Sequence, residues 1–495
     1  MNHLNIQKIS EVHYKVWADA GTEQELSDYF KFKMPGYQFT PKYRSGVWDG
    51  FIRIYNLGRK TIYVGLYDYL VKFAERNELE IVQHGDEPLV TDNKIDFEKL
   101  KDWITRLNLA ARGKSIEIHD HQLRAIHVAL NEDRITLESP TSSGKSLIIY
   151  NLIRWHVMNK RKILIIVPTT QLCEQLYSDF EDYSSLNNWP VEAYAQKLYS
   201  GFTKTISKPI LISTWQSLHK QQPSYYNQFD AVICDEVHLA KGASITGIME
   251  KMHQTKYRIG LTGTLDDANA NKLQVCGLFG RREKVISTKE LMDMGKVADL
   301  DIRCLVIDHS EEDRKLCKGI DFKAEMEFVT TMKERNKFIA NLAKATKGNT
   351  LILVNWVNKH AIPLYEELMK SVTDRPVHII YGDVDPAERE KIRLQLESEE
   401  NSITVATYAT CSTGINIPSI ENVIFGSSSK SKIRNLQSIG RGLRLKEGKT
   451  TCKLFDVVDD LSWKKSENHV LRHFKERINQ YAREQFKYKV IRVKM

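Results

Sequence analysis

The sequence predicts an α/β protein with two parallel-sheet domains in tandem. Two consecutive series of short apolar runs, each run separated from the next by a helical pattern, are the first observation. The second is a loop of small residues, Ser139–Ser146, between an apolar run and a helical stretch. The third is a carboxylate pair, Asp235 and Glu236, that ends a later run of the first series.

The composition indicates a globular protein of several domains. A chain of 495 residues is too long for one hydrophobic core, and no apolar run approaches the roughly 18 residues of a membrane span. The seven cysteines are scattered and never spaced as C-x-x-C, which predicts reduced core thiols in a cytoplasmic protein without a zinc site. A net charge of +9 fits either simple solubility or a polyanionic partner.

The order of elements predicts four regions. The first mixes aromatic, glycine and basic residues, and we expect a small α+β domain there. The first series of strands is predicted at 135–138, 163–167, 210–213, 230–234 and 259–261. The second series is predicted at 302–307, 350–354, 377–380, 403–406, 422–425 and 452–457. A helical tail with a short β-rich end follows. The predicted boundaries are 1–112, 113–300, 301–460 and 461–495.

The loop of small residues has the sequence context of a phosphate-binding loop. Backbone N–H groups of such a loop surround polyphosphate oxygens, helped by the positive end of the following helix. Lys145 is expected at the β- and γ-phosphates, and the Ser146 hydroxyl is expected to ligate Mg²⁺. Ser139 replaces the usual first glycine, which a helicase-style loop tolerates. Alone, the pattern also fits an ordinary turn. The predicted nucleotide ligands of the loop are Pro140, Thr141, Ser142, Ser143, Gly144, Lys145 and Ser146.

The carboxylate pair predicts a metal and water site. Asp235 is expected to hold Mg²⁺ mostly through its water shell, because this ion keeps its hydration. Glu236 is expected to polarise the attacking water. His238, two residues later, fits either a coupling role or a structural hydrogen bond.

The segment Gln437–Arg444 predicts an arginine-finger element in the second α/β series. Arg441 and Arg444 are three residues apart and share one helix face. Their planar guanidinium groups suit phosphate oxygens and can neutralise charge that develops on the γ-phosphate. A solvated basic helix end is the alternative. With Gln437, these arginines complete a predicted catalytic set that includes Lys145, Asp235 and Glu236.

Taken together, these motifs resemble those of superfamily 2 helicases of the DExH type, in the family's order and over residues 113–460. The resemblance implies two RecA-like domains with ATP bound between them. It also implies that Gln122 contacts the adenine base and Gly414 the nucleotide, whereas Asn416 replaces an aspartate that is common in relatives. The further motifs that carry the resemblance are Ile118–Gln122, Ile165–Thr170, Ile212–Gln216, Leu261–Thr264 and Thr407–Asn416.

Threonines at the ends of predicted strands are candidate contacts to a nucleic-acid backbone, since hydroxyls there bind phosphate without reading sequence. Each threonine alone is more often a helix cap or an ordinary strand residue. Because all of them lie at the ends of predicted strands, we favour the interpretation that the set contacts the nucleic-acid backbone. The threonines are Thr169, Thr170, Thr214, Thr407 and Thr413.

The N-terminal region has an excess of basic residues between aromatic side chains. Between positions 28 and 60 there are seven Lys or Arg against two Asp. Basic residues bind phosphate, and exposed aromatics stack on bases or wedge a junction. A small domain with an aromatic core and a solvated charged face is the alternative, and it is the better interpretation of each aromatic taken singly. The predicted DNA contacts are Lys42, Arg44, Arg53 and Arg59.

The segment Phe39–Gly50 has the pattern F-x-P-x-x-R-x-G-x-W-D-G, and Phe455–Asp460 follows the arginine motif. Both are similar to segments of the UvsW helicases of tailed phages. That resemblance implies an enzyme of phage recombination, repair and replication that unwinds branched DNA, migrates junctions and removes RNA–DNA hybrids. The tail after 460 is basic and fits either DNA tracking or a solvated helix face.

The sequence therefore predicts an ATP- and Mg²⁺-dependent DNA helicase or translocase. It is expected to act as a monomer in the host cytoplasm, without membrane contact, on branched, single- or double-stranded DNA and on RNA–DNA hybrids. Phage recombination and single-strand-binding proteins are candidate partners. Two alternatives remain: the duplex translocase of a restriction system, which normally carries a nuclease domain, and a nucleotide-gated clamp that does not unwind.

Overall fold

The computed structural model describes residues 3–34, 36–90, 94–199, 205–239, 243–263, 269–382, 395, 398–412, 420–428 and 451–494. The chain forms two compact units. The first contains Met1–Ser139 and Ser143–Ile286, and the second contains Pro140–Ser142 and Ser287–Met495.

The N-terminal part of the first unit is a small α+β domain. Leu4, Ile6, Tyr14 and Val16 alternate with more exposed residues along two strands, so one face of a sheet is buried against the helices. Its strands are β1 His3–Lys8, β2 His13–Trp17, β3 Lys31–Lys33, β4 Phe51–Arg53, β5 Thr61–Tyr63 and β6 Glu80–His84. The order β5-β2-β1-β6 forms the sheet, while β3 and β4 pair as a separate hairpin. Its α-helices are Ala20–Tyr29, Pro41–Arg44 and Tyr67–Arg76, with 3₁₀ turns at Tyr37–Phe39 and Val64–Leu66.

The rest of the first unit is built around a seven-stranded parallel sheet. Every residue of Ile163–Val167 is buried, as expected for a strand with helices on both faces. The strands are β7 Ala110–Ala111, β8 Lys114–Ser115, β9 Arg134–Glu138, β10 Ile163–Val167, β11 Ala195–Leu198, β12 Ile210–Thr214, β13 Ala231–Cys234, β14 Tyr257–Thr262 and β15 Arg282–Lys284. The order is β11-β12-β10-β13-β14-β9-β15, and β7 pairs with β8. The helices are Phe97–Arg106, Asp120–Asn131, Lys145–Met158, Thr170–Ser184, Val191–Tyr194, Trp215–Leu218, Pro223–Tyr226, Ala243–Lys251 and Asn269–Phe279, with a 3₁₀ turn at Val237–Leu239.

The second unit repeats this architecture. Its strands are β16 Asp299–Asp308, β17 Asn349–Val354, β18 Val377–Ile380, β19 Ile403–Thr407, β20 Ile420–Phe425, β21 Thr451–Asp460 and β22 Tyr488–Lys494. The order is β18-β19-β17-β20-β21-β16-β22, with parallel pairing throughout. The helices are Thr288–Asp293, Glu311–Leu316, Phe322–Thr331, Lys333–Ala345, Ile362–Ser371, Tyr408–Ser412 and His469–Arg483, with a π turn at Val357–Ala361.

The predicted fold class is confirmed. Each strand predicted in the two series is present, and the two seven-stranded sheets are the expected tandem parallel sheets. The short strands β11 and β15 were not predicted from the sequence. It predicted a β-rich end to the tail but not that β22 pairs with β16. The four domain boundaries stay predictions.

The N-terminal domain packs directly on the domain that carries the first parallel sheet. The Arg134 guanidinium donates to the backbone carbonyl of Glu11 at 2.9 Å and pairs with the Glu11 carboxylate. The Tyr63 hydroxyl donates to Glu250 at 2.6 Å. A Cβ on Gly65 would lie 2.1 Å from the carbonyl oxygen of Cys276, so only glycine allows this approach. The interface is therefore close-packed.

Two buried charge clusters attach the C-terminal helix and its neighbours to the second sheet. Arg477 donates to both carboxylate oxygens of Asp456 at 2.8 Å, and the Tyr481 hydroxyl donates to the same carboxylate at 3.0 Å. Arg335 and His309 form a second cluster on Asp459. Burial alone would raise the pKa of Asp459, but the Arg335 guanidinium and the His309 hydrogen bond lower it to about 2.

The six cysteines whose side chains the structure describes are buried, and none of the six forms a disulfide. Over the same described part of the chain, no helix is both long and apolar enough to cross a lipid bilayer.

Replacing Arg477 by alanine tests the first charge cluster. Removing one partner leaves the Asp456 carboxylate buried without its counter-charge, which typically costs about 3–5 kcal/mol. We expect the free energy of unfolding of the second unit to fall by that order, measured by urea unfolding. Lys475→Ala, on the same helix but in an exposed ion pair with Glu467, is the matched control and should cost under about 1 kcal/mol. Equal losses in the two variants would contradict the role assigned to Arg477.

Candidate nucleotide and nucleic-acid site

The predicted catalytic residues of the first unit meet at one edge of its sheet. The strands β13, β14 and β9 are neighbours and run parallel, so their carboxyl ends lie side by side. The loop Ser139–Ser146 follows β9, Asp235 and Glu236 follow β13, and Gly263 follows β14. A Cβ on Gly263 would lie 3.6 Å from the Lys145 ammonium, which itself donates to the Ser139 carbonyl at 3.2 Å.

The loop has the backbone conformation of a phosphate cradle. Ser142 and Gly144 have positive φ angles of 68° and 85°, and the helix Lys145–Met158 starts directly afterwards. Alternation of this kind turns successive N–H groups toward one point, in line with the positive end of the helix. Ser139 is fully buried, and its hydroxyl lies 2.5 Å from the Ser143 hydroxyl. The serine that replaces glycine therefore makes a hydrogen bond across the loop.

Two side chains from the helix Asp120–Asn131 hold the loop in place. Gln122 Nε2 donates to the Ser143 carbonyl at 3.0 Å, and His121 Nε2 lies 3.1 Å from the same oxygen. The Gln122 carbonyl accepts from the backbone N–H of His119 at 3.0 Å. A Cβ on Gly144 would lie 2.1 Å from Gln122 Nε2. Gln122 therefore supports the loop in this structure, and its predicted contact with adenine stays a prediction.

The hydroxyl expected to ligate the metal has a neighbour that the sequence analysis did not identify. Ser146 Oγ lies 2.7 Å from the hydroxyl of Tyr183, on the helix Thr170–Ser184. Burial raises the pKa of Tyr183 to about 12, so this phenol remains protonated at neutral pH and can orient the serine.

The carboxylate pair is partly buried and bears opposite pKa shifts. Partial burial, and then the neighbouring Glu236 carboxylate, raise the pKa of Asp235 to about 6. Burial alone would also raise the pKa of Glu236, but the Lys145 ammonium and the His238 imidazole lower it. Glu236 has a φ of 54°, an uncommon value for a residue other than glycine and one that often marks functional sites.

His238 connects this pair to the strand beside it. Its Nδ1 lies 3.1 Å from Glu236 Oε2 and 3.0 Å from the hydroxyl of Thr262, and both His238 and Thr262 are buried. A hydrogen bond therefore links the end of β13 to the end of β14. This geometry gives His238 a structural contact; a coupling role stays a prediction.

A divalent cation fits the chemistry of this edge. A raised pKa at Asp235 means that its negative charge is poorly compensated, which a nearby cation would correct. Hydroxyl and carboxylate oxygens such as those of Ser146 and Asp235 are ligands suited to Mg²⁺. In the described residues, no cluster of three or more His, Cys, Asp or Glu side chains has the spacing of a complete metal cage.

The described threonines lie at the carboxyl ends of β10, β12 and β19, and three of them make local contacts. Thr169 caps the helix Thr170–Ser184 by accepting from Leu172 N at 3.2 Å. Thr214 Oγ1 lies 3.0 Å from Ser217 Oγ, and Thr407 Oγ1 lies 2.7 Å from Thr410 Oγ1. Thr170 is exposed. Contact between these residues and a nucleic acid stays a prediction.

The four predicted N-terminal contacts differ in their surroundings. Arg53 forms an ion pair with Asp49 at 2.6 Å, which neutralises part of its charge. Lys42, Arg44 and Arg59 are exposed, and among the described residues no carboxylate pairs with any of them. Three of the four side chains are therefore available to a polyanion.

Part of the predicted site lies outside the described residues. This applies to the motif V residues Thr413, Gly414 and Asn416 and to the motif VI residues Gln437, Arg441 and Arg444. Their roles stay predictions.

Three family models match separate parts of the chain. Residues 3–83 match the family model "DNA helicase UvsW, N-terminal", residues 115–267 match "Type III restriction enzyme, res subunit", and residues 333–446 match "Helicase conserved C-terminal domain".

Two groups of relatives differ in how much of the chain they resemble. The ATP-dependent DNA helicase uvsW of Enterobacteria phage T4 is 33% identical over 96% of both chains. The crystal structure of T4 UvsW covers 99% of both chains at 30% identity, with a TM-score of 0.53. The DNA 3'-5' translocase XPB2 of Sulfurisphaera tokodaii is 24% identical over 67% of this chain and 80% of its own. A fragment of a putative HsdR restriction subunit from Vibrio vulnificus YJ016 covers 76% of this chain and 67% of its own, at 17% identity and a TM-score of 0.55, and shows the fold alone.

The T4 relative matches this chain from the N-terminal domain through the second parallel sheet, in sequence and in structure. The expected superfamily 2 character and the ATP-dependent helicase activity are thereby confirmed. The chain belongs to the UvsW family of ATP-dependent DNA helicases.

Proposed function

We propose that this helicase unwinds branched DNA, including forks and displacement loops, and migrates DNA junctions during phage recombination, repair and replication. The observation that carries the proposal is a basic N-terminal domain of UvsW type packed tightly on the ATP-binding domain. The motor domain of a helicase needs to track only one strand. The basic surface of the N-terminal domain, which is packed on the ATP-binding domain, can bind the adjoining duplex at the same time. Removal of RNA–DNA hybrids in the cytoplasm of the phage-infected host belongs to the same proposal.

In the proposed hydrolysis step, Lys145 and the loop N–H groups bind the β- and γ-phosphates. Ser146 and Asp235 would hold Mg²⁺, which supplies charge neutralisation on the phosphate oxygens. Glu236, ionised because the Lys145 ammonium and the His238 imidazole lower its pKa, polarises the attacking water. Arg441 and Arg444 are proposed to bind the charge that develops on the γ-phosphate.

The two alternatives predict different products. A restriction-type translocase moves along duplex DNA without separating strands at a fork, and a clamp binds DNA without processive turnover. Strand displacement on matched forked, junction and linear substrates, with DNA-stimulated ATPase measured in parallel, tests the proposal. DNA-stimulated hydrolysis without any strand displacement would contradict it.

Glu236→Gln tests the proposed water-activating residue. The amide keeps the shape of the side chain but accepts a proton poorly, so nucleotide affinity should stay within about twofold while ATP turnover falls at least about 100-fold. Fluorescent nucleotide titration and steady-state ATPase measure the two quantities. Glu98→Gln, an exposed substitution on the helix Phe97–Arg106, is the control and should leave both unchanged. Turnover near the wild-type rate in Glu236→Gln would remove Glu236 from this role.

Tyr183→Phe tests the hydrogen bond to Ser146. Loss of an orienting partner of a metal ligand typically weakens metal binding by about 10–100-fold. We expect the Mg²⁺ concentration that gives half-maximal ATPase activity to rise about tenfold. In the presence of nucleotide, the increase in melting temperature that Mg²⁺ causes should become smaller. Tyr177→Phe, on the same helix, is the matched control. Stronger Mg²⁺ binding in Tyr183→Phe would mean that the phenol competes with the metal for the serine oxygen.

Simultaneous neutralisation of Lys42, Arg44, Arg53 and Arg59 tests the N-terminal contacts. Each lost phosphate contact should lower the salt dependence of DNA affinity by about 0.7–0.9 in log–log slope. Because Arg53 is paired with Asp49, Arg53→Ala alone should have the smallest single effect. ATPase on saturating single-stranded DNA should change little.

A charge-matched control replaces the exposed residues Lys99, Lys101, Arg106 and Lys114 in the same unit. An unchanged affinity and slope in the folded test variant, or equal losses in both variants, would show that the charge near Lys42 is only solvated surface.

A further inference from the structure

The hairpin of β3 and β4 carries an exposed segment that the ATPase mechanism does not use. We call residues 36–50 the hairpin tip. Phe39 is 70% exposed and Val47 is 79% exposed, more than any other large apolar side chain that the structure describes in this domain. Exposure of two such side chains on one short segment is typical of a contact surface.

The hairpin tip is a rigid structure. The N–H groups of Val47 and Trp48 both donate to the Lys42 carbonyl at 3.1 Å, and the Trp48 indole donates to the Phe51 carbonyl at 2.8 Å. The rings of Tyr37 and Tyr43 meet edge to face at 4.7 Å. These contacts fix the backbone that carries Phe39 and Val47, so binding at the hairpin tip requires little ordering of the main chain.

Glycine is required at the base of the hairpin tip. Gly50 is buried with a φ of 82°, and a Cβ there would lie 2.6 Å from the Tyr37 ring. The segment Phe39–Gly50 is thus a small folded unit in which glycine and aromatic positions serve packing. Packing does not explain Phe39 and Val47, whose side chains lie mostly in solvent.

Positive charge surrounds the apolar side chains. Lys33, Lys42 and Arg44 are exposed, and within the described residues none of them has a carboxylate partner. The Lys33 ammonium also lies 5.2 Å from the centre of the Tyr37 ring. An apolar tip between unpaired cations matches a ligand with a flat apolar face and flanking negative charge. The exposed end of a base-paired duplex has both properties.

The hairpin contacts the domain that carries the first parallel sheet. The helix Asn269–Phe279 lies against β3 and β5. In the chain, this helix comes shortly after the motif Leu261–Thr264. Cys276 from this helix belongs to the apolar core of the N-terminal domain. A tip supported in this way keeps a fixed position relative to the first parallel sheet, which is what separation of strands requires.

We propose that Phe39 and Val47 form an apolar wedge that packs against the terminal base pair at a DNA branch point. Lys33, Lys42 and Arg44 bind the phosphates on either side of it. This inference rests on the proposed action on branched DNA and adds the residues that meet the branch point. It distinguishes an apolar contribution to fork binding from the salt-dependent contribution of the basic residues.

The test compares a double substitution, Phe39→Ser with Val47→Ser, with wild type and with Ile9→Ser. Ile9 is 50% exposed on the same domain and lies outside the hairpin tip, so it is a matched control. Affinity for forked and for single-stranded DNA is measured across a salt series without nucleotide. A 2-aminopurine at the branch-point pair, or inside the duplex, reports on stacking.

Loss of aromatic stacking should reduce the preference for forked over single-stranded DNA by about tenfold. The salt slope should stay unchanged because no phosphate contact is removed, whereas Lys42→Ala with Arg44→Ala should lower the slope by about 0.7–0.9 per contact. The branch-point probe should respond to wild type and to Phe39→Trp but not to the double variant. ATPase on saturating single-stranded DNA should be the same in wild type and in the control Ile9→Ser.

A folded double variant with wild-type fork preference and probe response would overturn the inference. An equal loss in Ile9→Ser would overturn it too. A wild-type protein that fails to displace any strand from a fork would refute the proposed function, whatever the variants do.

Discussion

The parallel register of β13, β14 and β9 is the constraint on which the described part of the nucleotide site depends. Parallel strands place their carboxyl ends at one edge, so segments far apart in sequence meet without any long-range loop. At this edge the Lys145 ammonium, the Asp235 carboxylate and the backbone at Gly263 come together. The sheet therefore determines most of this geometry. The loops contribute the positive φ angles of Ser142, Gly144 and Glu236.

The loop is held from one side by Gln122 and His121 and from the other by the helix that it starts. The lack of Cβ at Gly144 allows the Gln122 amide to approach the backbone. Support of this kind matters because a phosphate cradle works only if its N–H groups already point inward before the ligand arrives. The contacts of Ser139 and Ser143 show how a loop without the first glycine keeps its shape through side-chain hydrogen bonds.

Sequence patterns predicted most strands of the two parallel sheets, and they placed the small-residue loop and the carboxylate pair after strands, because these features depend on local signals. Fully apolar runs such as Ile163–Val167 mark buried strands, and a small-residue loop before a helix marks a phosphate site. The partners of those residues were not predictable. Tyr183 lies on a different helix from Ser146, and no spacing rule connects them. The pairing of β22 with β16 depends likewise on tertiary structure.

The N-terminal domain shows the same limit. An excess of basic and aromatic residues was visible in the sequence, but the sequence did not separate core aromatics from exposed ones. In the structure Phe30 and Tyr55 are buried while Phe39 is not, and Arg53 has a carboxylate partner while Lys42 has none among the described residues. The sequence shows the same residue types, aromatic and basic, at both kinds of position. The structure of the hairpin is needed to tell the buried or paired residues from the exposed ones.

The strand order of the second sheet has a consequence for how the protein folds while it is being synthesised. The strand β16 pairs only with β21 and β22 in the described sheet, although it precedes both in the chain by the length of a whole domain. While the ribosome makes the residues in between, β16 has no partner on either side, so its backbone N–H and C=O groups and its apolar side chains are exposed. All strands of the first unit have been synthesised by then, so the first unit can fold before the second sheet is complete. The second domain, by contrast, can complete its sheet only after translation has passed β22, so ribosome stalling before that point would leave an unprotected β-strand prone to aggregation.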